Sequence, residues 1–298
     1  MKKYFLLSVS LLWCSCFVSA QRNELKNGIQ QLIEGKKATV GIAISSDSPG
    51  DALFINGDTH LPMQSVYKFP IALVVLSMVD EGKFKLDQLV NIRERDLLPG
   101  TWSPIREKFP QGTRMSIAEL IGFTAGESDN NGCDILLRLV GGAVQVQRFL
   151  EARGFADIQV KTTEEEASRD WNVQFQNWAT ARALHKLLMA AYQNKGNRLL
   201  SKASYDFLWK VLAEGQTGMK RIKGDLPAGT WGHKTGTSGM NQGMMAAIND
   251  IGVVRLPSGR VIYITVLVSS SKESLAENER IIAMVSKLAY DYYLKRKG

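Results

Sequence analysis

The sequence predicts an α/β fold of the α+β type: an antiparallel sheet of about five strands built from both chain ends, with an all-helical lobe inserted between its second and third strands. Three observations carry this expectation. β-like runs are confined to residues 39–56 and 232–269. Between them, residues 65–212 are dominated by helical periodicity. No internal repeat, low-complexity tract or Pro/Gly/Ser linker divides the chain in two. The corresponding division assigns 21–61 together with 213–298 to an α/β lobe and 62–212 to a helical lobe. A cleft between such lobes is the expected place for a site.

The first element is a leader over residues 1–20. Lys2 and Lys3 give a basic start, Tyr4 to Val18 is mostly apolar, and Val18-Ser19-Ala20 supplies a small-residue cleavage pattern. The apolar part is shorter than the roughly 20 residues of a membrane span, so a soluble, periplasmic or secreted monomer is expected. The alternative is a lipid anchor on Cys14 or Cys16, which Trp13 and the polar neighbours fit poorly. Once the leader is removed only Cys133 remains, so no internal disulfide is expected.

Residues 24–35 read as a helix, followed by strand-like Thr39 to Ser46 and Ala52 to Asn56 around a Pro49-Gly50-Asp51 turn. Helical runs cover Val66 to Val79, Ile117 to Thr124, Cys133 to Val140, Val144 to Ala152, Ala179 to Gln193 and Ser201 to Leu212. Strand signals return in Gly232 to Ser238, Met245 to Leu256 and Val261 to Ser269, the last two joined at Pro257-Ser258-Gly259. An amphipathic helix from Leu275 to Tyr293 closes the chain.

The formal charge is +8, and +6 without Lys2 and Lys3. Its basic residues are scattered rather than gathered in a stripe, which argues against a nucleic-acid partner. His60, His185 and His233 are dispersed without ligand spacing, so neither a metal nor another cofactor is expected. His233, beside Lys234, is expected to pack next to the site without acting as a base.

Three short motifs carry chemistry. In Ser65-Val66-Tyr67-Lys68 the serine and lysine share a helix face, so a lysine whose charge is disfavoured can activate the hydroxyl. The helix start also offers free N–H groups to an oxyanion. Ser128-Asp129-Asn130 lies between helices: Ser128 can relay a proton, Asn130 can hold an amide and touch Lys68, and Asp129 is expected to fix the turn. Lys234-Thr235-Gly236 sits in a strand with Thr237 and Ser238 after it, and glycine there implies a close approach to backbone. A substrate along this strand meets Lys234 and the Thr235 and Thr237 hydroxyls at its carboxylate, and the Thr237 N–H at its carbonyl oxygen. Each motif alone is ordinary: a cap before an exposed lysine, a polar loop, an edge strand. Their order is specific, with Ser128 63 residues beyond Ser65 and Lys234 a further 106 beyond Ser128.

With these motifs the chain resembles class A serine β-lactamases over essentially its whole mature length, closest to the branch with extended-spectrum and cephalosporin-hydrolysing members. The resemblance implies a β-lactamase/transpeptidase-like fold and hydrolysis of small-molecule penicillins and cephalosporins through a Ser65 acyl-enzyme. It implies an oxyanion hole from the N–H groups of Ser65 and Thr237. Either Lys68 or Glu164 acting through water takes the serine proton. The acids available to release the ester are Glu164, Glu165 and Glu166; the family's spacing, 36 residues after Ser128, selects Glu164. Ser168 stands where most members have a water-holding asparagine. The arginine–aspartate clamp usual for this loop is replaced by Thr162 and Asn177, leaving Trp171, Phe175 and Trp178 to hold it. Trp102 matches an aromatic at the cleft rim. Gln242 replaces a family arginine, and Arg221 is the expected substitute for its charge toward the substrate carboxylate. Ser238 is similar to a feature of cephalosporin-hydrolysing members. Two rivals share the motifs: a D-Ala-D-Ala carboxypeptidase or transpeptidase, and a β-lactam sensor that keeps its adduct.

Overall fold

The computed structural model describes residues 22–227 and 230–296, so the expected leader lies outside the described residues. A helix over residues 22–33 (α1) precedes β1 (Thr39–Ser46), β2 (Leu53–Ile55) and β3 (Leu61–Pro62). A 3-10 turn, Gln64–Tyr67, runs straight into α2 (Lys68–Asp80). Next come β4 (Leu89–Arg93), α3 (Pro104–Lys108), β5 (Gly112–Ser116) and α4 (Ile117–Ile121). A π turn, Gly122–Gly126, leads to α5 (Asn130–Val140) and α6 (Ala143–Glu151). Then follow β6 (Ile158–Gln159), α7 (Glu164–Arg169), β7 (Trp178–Ala179), α8 (Ala181–Gln193) and α9 (Lys202–Glu214). The chain closes with β8 (Thr230–Thr237), β9 (Met240–Asn241), β10 (Met244–Arg255), β11 (Val261–Ser271) and α10 (Leu275–Lys295).

The main sheet is antiparallel in the order β2-β1-β11-β10-β8, with β9 folded onto the start of β10, so strands from both chain ends join in one sheet, as expected, and meet where β1 pairs with β11. Period-two alternation divides its side chains between two cores. Ile42 and Ile44 of β1 and Ile262, Ile264 and Val266 of β11 pack with Leu25 and Ile29 of α1 and Ile281, Ile282 and Val285 of α10. Ala43, Tyr263 and Leu267 point the other way, toward α2, α8 and α9. In α2 every residue from Lys68 to Ser77 is buried, the condition of a helix that is apolar nearly all round. Burying each of its large aliphatic side chains is worth roughly 1.5–3 kcal/mol, so α2 is a firm post for whatever stands at its head.

Three local features differ from the sequence reading. The stretch expected to be all helical contains a ladder between β4 and β5 and the short strands β6 and β7. Of β4 only Ile92 is buried, too little for an alternating pattern to be legible. The helix expected over Ile117 to Thr124 stops at Ile121, where Gly122 opens a π turn whose Phe123 carbonyl accepts from the Asp129 N–H at 2.9 Å. This turn delivers Ser128 to the head of α2.

Candidate active site

Ser65 lies on the 3-10 turn one step before α2, and Gln64 ahead of it has a left-handed backbone (φ +48°). The turn is braced from behind by β8. A Cβ built on Gly236 collides with the Met63 carbonyl oxygen and meets Ser65 N at 3.2 Å. Glycine is therefore required because the nucleophile's own backbone packs against the strand. Asn249 of β10 adds hydrogen bonds from Nδ2 to the carbonyls of Pro62 and Met63, at 2.8 and 3.0 Å.

Lys68 Nζ donates to Ser65 Oγ at 2.9 Å, to the Ser128 carbonyl at 2.8 Å and to Asn130 Oδ1, and lies 3.0 Å from Glu164 Oε1. An ammonium has three hydrogens, so four oxygens compete for them. Ser128, buried and left-handed at φ +64°, links two lysines: its carbonyl faces Lys68 and its Oγ accepts from Lys234 Nζ at 2.9 Å. Lys234 is buried and also donates to the Thr235 carbonyl at 3.0 Å. Burial, followed by repulsion from Lys68, holds its pKa well below the ordinary lysine value. Asp129 accepts from the Ile105 and Gly132 N–H groups and from Ser103 Oγ, so it fixes the turn. Asn130 Nδ2 donates to Thr101 Oγ1 at 2.5 Å.

The three consecutive glutamates of α7 go to three different partners, because successive helical residues point about 100° apart. Glu164 faces Lys68. Glu165 pairs with Arg169 at the surface. Glu166 closes a capping box, its Oε2 accepting from the Thr163 N–H at 2.9 Å while its own N–H donates to Thr163 Oγ1 at 3.1 Å. The T-x-x-E pattern of Thr163 to Glu166 announces that box in the sequence.

Sequence reasoning missed Asp134. Its two oxygens accept from the Glu164 and Glu165 N–H groups, both at 2.8 Å, tying the start of α7 to α5. Burial first, then the neighbouring Glu164 charge, outweighs these bonds and raises its pKa to about 6. Its position four residues after Asn130, on the same face of α5, was the available signal. The loop around α7 is closed by Asn177, whose Oδ1 accepts from the Lys161 and Thr162 N–H groups at 2.8 and 3.0 Å and whose Nδ2 donates to the Thr162 carbonyl at 2.9 Å. Neutral hydrogen bonds thus join the two positions where the ion pair is missing. The aromatic residues assist: Trp171 meets Phe175 edge-on, and Trp178 stacks on His60.

The cleft these elements enclose, about 760 Å³, is lined by Ser65, Ser128, Asn130, Glu164, Thr235 and Thr237 among others. Trp102 stands exposed at its rim with Nε1 on the Glu127 carbonyl, and Ser168 and Ser238 also reach it. Ser168 Oγ is engaged by the Glu165 carbonyl and Ser238 Oγ by Gly239 O and Ala247 N. Arg221 departs from expectation: it is buried and does not line the cleft. Its guanidinium donates to the carbonyls of Gly236 and Asn249, both at 3.0 Å, and to Thr237 Oγ1 at 2.7 Å, and pairs with Glu279 at 3.3 Å. Gly236 and Lys234 likewise lie behind the lining. His233 sits outside the cleft, its Nδ1 2.9 Å from Asp250.

A hydroxyl backed by a buried lysine, with a carboxylate over the same cleft, on a sheet and helical scaffold of this topology, defines the active-site serine enzymes that work through covalent acylation. The model of the beta-lactamase enzyme family matches residues 24–293, and the chain belongs to that family. It is 49% identical to beta-lactamase VEB-1 of Pseudomonas aeruginosa over 99% of both chains. With the extended-spectrum beta-lactamase PER-1 of the same organism it shares 40%, over 93% of this chain and 90% of the relative. Among solved structures, TLA-3 extended-spectrum beta-lactamase superposes with a TM-score of 0.89 at 45% identity, covering 92% of this chain and 99% of that one.

Proposed function

We propose that this chain hydrolyses the β-lactam amide of penicillins and cephalosporins through a Ser65 acyl-enzyme and so gives antibiotic resistance. The observation that carries the reading is Glu164, a cleft-lining carboxylate 3.0 Å from the lysine that contacts Ser65. Either Lys68, 2.9 Å from Ser65 Oγ and in its neutral amine form, or Glu164 through a water takes the serine proton; that proton replaces the one Ser128 and Lys234 give to the leaving nitrogen, so Glu164 is again a carboxylate when the ester is hydrolysed. Ser65 Oγ attacks the lactam carbonyl, whose oxyanion the N–H groups of Ser65 and Thr237 receive, each donor being worth about 3 kcal/mol. Ser128, fed by Lys234, protonates the departing nitrogen. Glu164 then takes a proton from water, which attacks the ester and frees the serine. Asn130, Thr235 and Thr237 hold the substrate along β8, with Trp102, Ser168 and Ser238 around its side chain. The extended-spectrum relatives support cephalosporins among the substrates.

The leader-like residues 1–20 support export to the periplasm or beyond, and a monomer suffices for this chemistry. Among the described residues no helix is long and apolar enough to cross a membrane. The test is mass spectrometry of the protein mixed with a penicillin or a cephalosporin over time. A transient adduct on Ser65 with accumulating product is expected, and Glu164→Gln should acylate and then stall. A permanent adduct on the parent protein, or rapid turnover by the variant, refutes the reading.

A further inference from the structure

We infer that Asn249 is a positioning residue for the oxyanion hole: by holding the Met63 carbonyl above Gly236 it sets the direction of the Ser65 N–H. The inference rests on the acyl-enzyme reading above and adds to it a residue that does not touch the substrate, since Asn249 is fully buried and outside the cleft lining. Asn249 of β10 and Gly236 of β8 are cross-strand partners. Together they form a socket for the turn that carries the nucleophile. Gly236 leaves the room, because a Cβ there would collide with the Met63 carbonyl oxygen, and Asn249 supplies the donors that hold that oxygen in place.

A third contact fixes which way the amide faces. Oδ1 accepts from the Val268 N–H of β11 at 3.1 Å, and a backbone N–H can only donate. The two hydrogens of Nδ2 are therefore the groups on the Pro62 and Met63 carbonyls, at 2.8 and 3.0 Å. Met63 is held at both ends: its N–H donates to the Asn177 carbonyl at 2.9 Å, and its own carbonyl also accepts from Val66 N at 3.2 Å. Peptide units are planar, so fixing the Met63 carbonyl fixes the plane that carries the Gln64 N–H. Only the φ and ψ of Gln64 then separate that plane from the one carrying the Ser65 N–H. Gln64 stands at φ +48°, a region that a residue with a side chain leaves unless its surroundings enforce it. The bonds from Asn249 supply that constraint on the side facing the sheet. Ser65 N lies 3.2 Å from the Cβ position of Gly236, one residue along β8 from Thr237, whose N–H is the other oxyanion donor.

The test is Asn249→Asp, alone and in the Glu164→Gln background that holds the acyl-enzyme for spectroscopy, with a penicillin isotopically labelled at its lactam carbonyl. Aspartate has the shape of asparagine and no donor, so it turns lone pairs toward two carbonyls. Infrared difference spectra read the ester carbonyl stretch, which falls in frequency as oxyanion donors tighten on the oxygen. In the double variant the ester band should move to higher frequency than in Glu164→Gln. Acylation of Asn249→Asp, followed by adduct mass, should slow about 10- to 100-fold, less than outright loss of a donor, because the Ser65 N–H is misdirected and not removed. A role confined to stability would lower the melting temperature and leave the band where it was; that outcome, or an unchanged acylation rate, overturns the proposal. Should Asn249→Asp fail to fold, Asn249→Ala removes the donor without adding a charge: the same upward shift is expected, and an unmoved band overturns the proposal. Adduct mass on Ser65 of the parent and of Glu164→Gln tests the underlying reaction separately. No adduct on either removes the acyl-enzyme reading itself, whereas adducts whose ester band ignores Asn249 remove only the role given to Asn249.

Discussion

Replacing Asp134 with asparagine should separate stability from turnover. In the parent, both carboxylate oxygens accept from the first two N–H groups of α7 at 2.8 Å, which sets where Glu164 leaves the helix. Asparagine keeps one acceptor and turns an N–H donor toward the other N–H. A hydrogen bond to a charged group is worth about 1.5–3 kcal/mol, so if that loss falls on the placement of Glu164, deacylation slows by about 10- to 100-fold. The fold responds in the opposite sense. The pKa of Asp134 rises from 3.8 to about 6, so the ionised group costs the native state about 3 kcal/mol at neutral pH. The group's contribution to stability is full below pH 3.8 and is lost as pH rises through about 6. A neutral side chain removes that cost. Asp134→Asn at pH 7.5 should therefore unfold at the parent's temperature or above it while accumulating acyl-enzyme. The same ionisation should slow deacylation by the parent as pH falls through about 6, and this limb should be missing from the variant. Stopped-flow burst kinetics with intact-protein mass and thermal unfolding measure both sides. Unchanged deacylation, or turnover and melting temperature falling together, would refute the argument.

Gly236→Ala should push β8 away from the turn at Met63–Ser65; overpacking of this kind costs about 1–3 kcal/mol, and kcat should fall with it, both measurable in one preparation by unfolding and steady-state kinetics. Cys133 is fully buried with Sγ 3.2 Å from Tyr67 Oη, and burial pushes its thiol pKa well up, so the native protein should resist a thiol reagent at pH 8 and react with one equivalent after denaturation. Asn177→Ala removes three hydrogen bonds that close the loop carrying Glu164, and should slow deacylation more than acylation and speed proteolysis of the loop, as single-turnover kinetics and limited proteolysis would reveal.

The sheet was legible because β1, β10 and β11 are long and strongly apolar and end in recognisable turns, so pattern and outcome agree from Thr39 to Ser46 and again from Val261 onward. β4 was not legible, since it is stabilised by its ladder with β5 and only Ile92 is buried. In the site, residues whose chemistry is carried by their type and order could be read: Ser65, Lys68, Ser128 and Lys234 converge on hydrogen-bonding distances. Asp134 escaped because its partners are backbone N–H groups of another helix, and its spacing from Asn130 within α5 is the only mark it leaves in its own segment. Arg221 escaped differently. Its charge suggested contact with substrate, but carbonyls of β8 and β10, distant in sequence, claim the guanidinium first. Gly236 was read as clearance for a ligand, whereas its neighbour is the backbone that carries the nucleophile.

The site also has to manage buried positive charge. Lys68 at the head of α2, Lys234 in β8 and Arg221 in the turn before β8 are all buried. Lys68 is answered by Glu164 and Arg221 by Glu279. Among the described residues Lys234 has no carboxylate partner; it donates to a hydroxyl and a carbonyl, and its depressed pKa records that deficit. A ligand bringing a carboxylate to β8 would supply the missing counter-charge. The same imbalance gives Ser128 its part, because a lysine ready to surrender its proton sits on its Oγ. One unpaired ammonium can thus attract the anionic end of a substrate and feed a proton to its leaving nitrogen, which explains why burial without a partner is tolerated there and at neither of the other two cations.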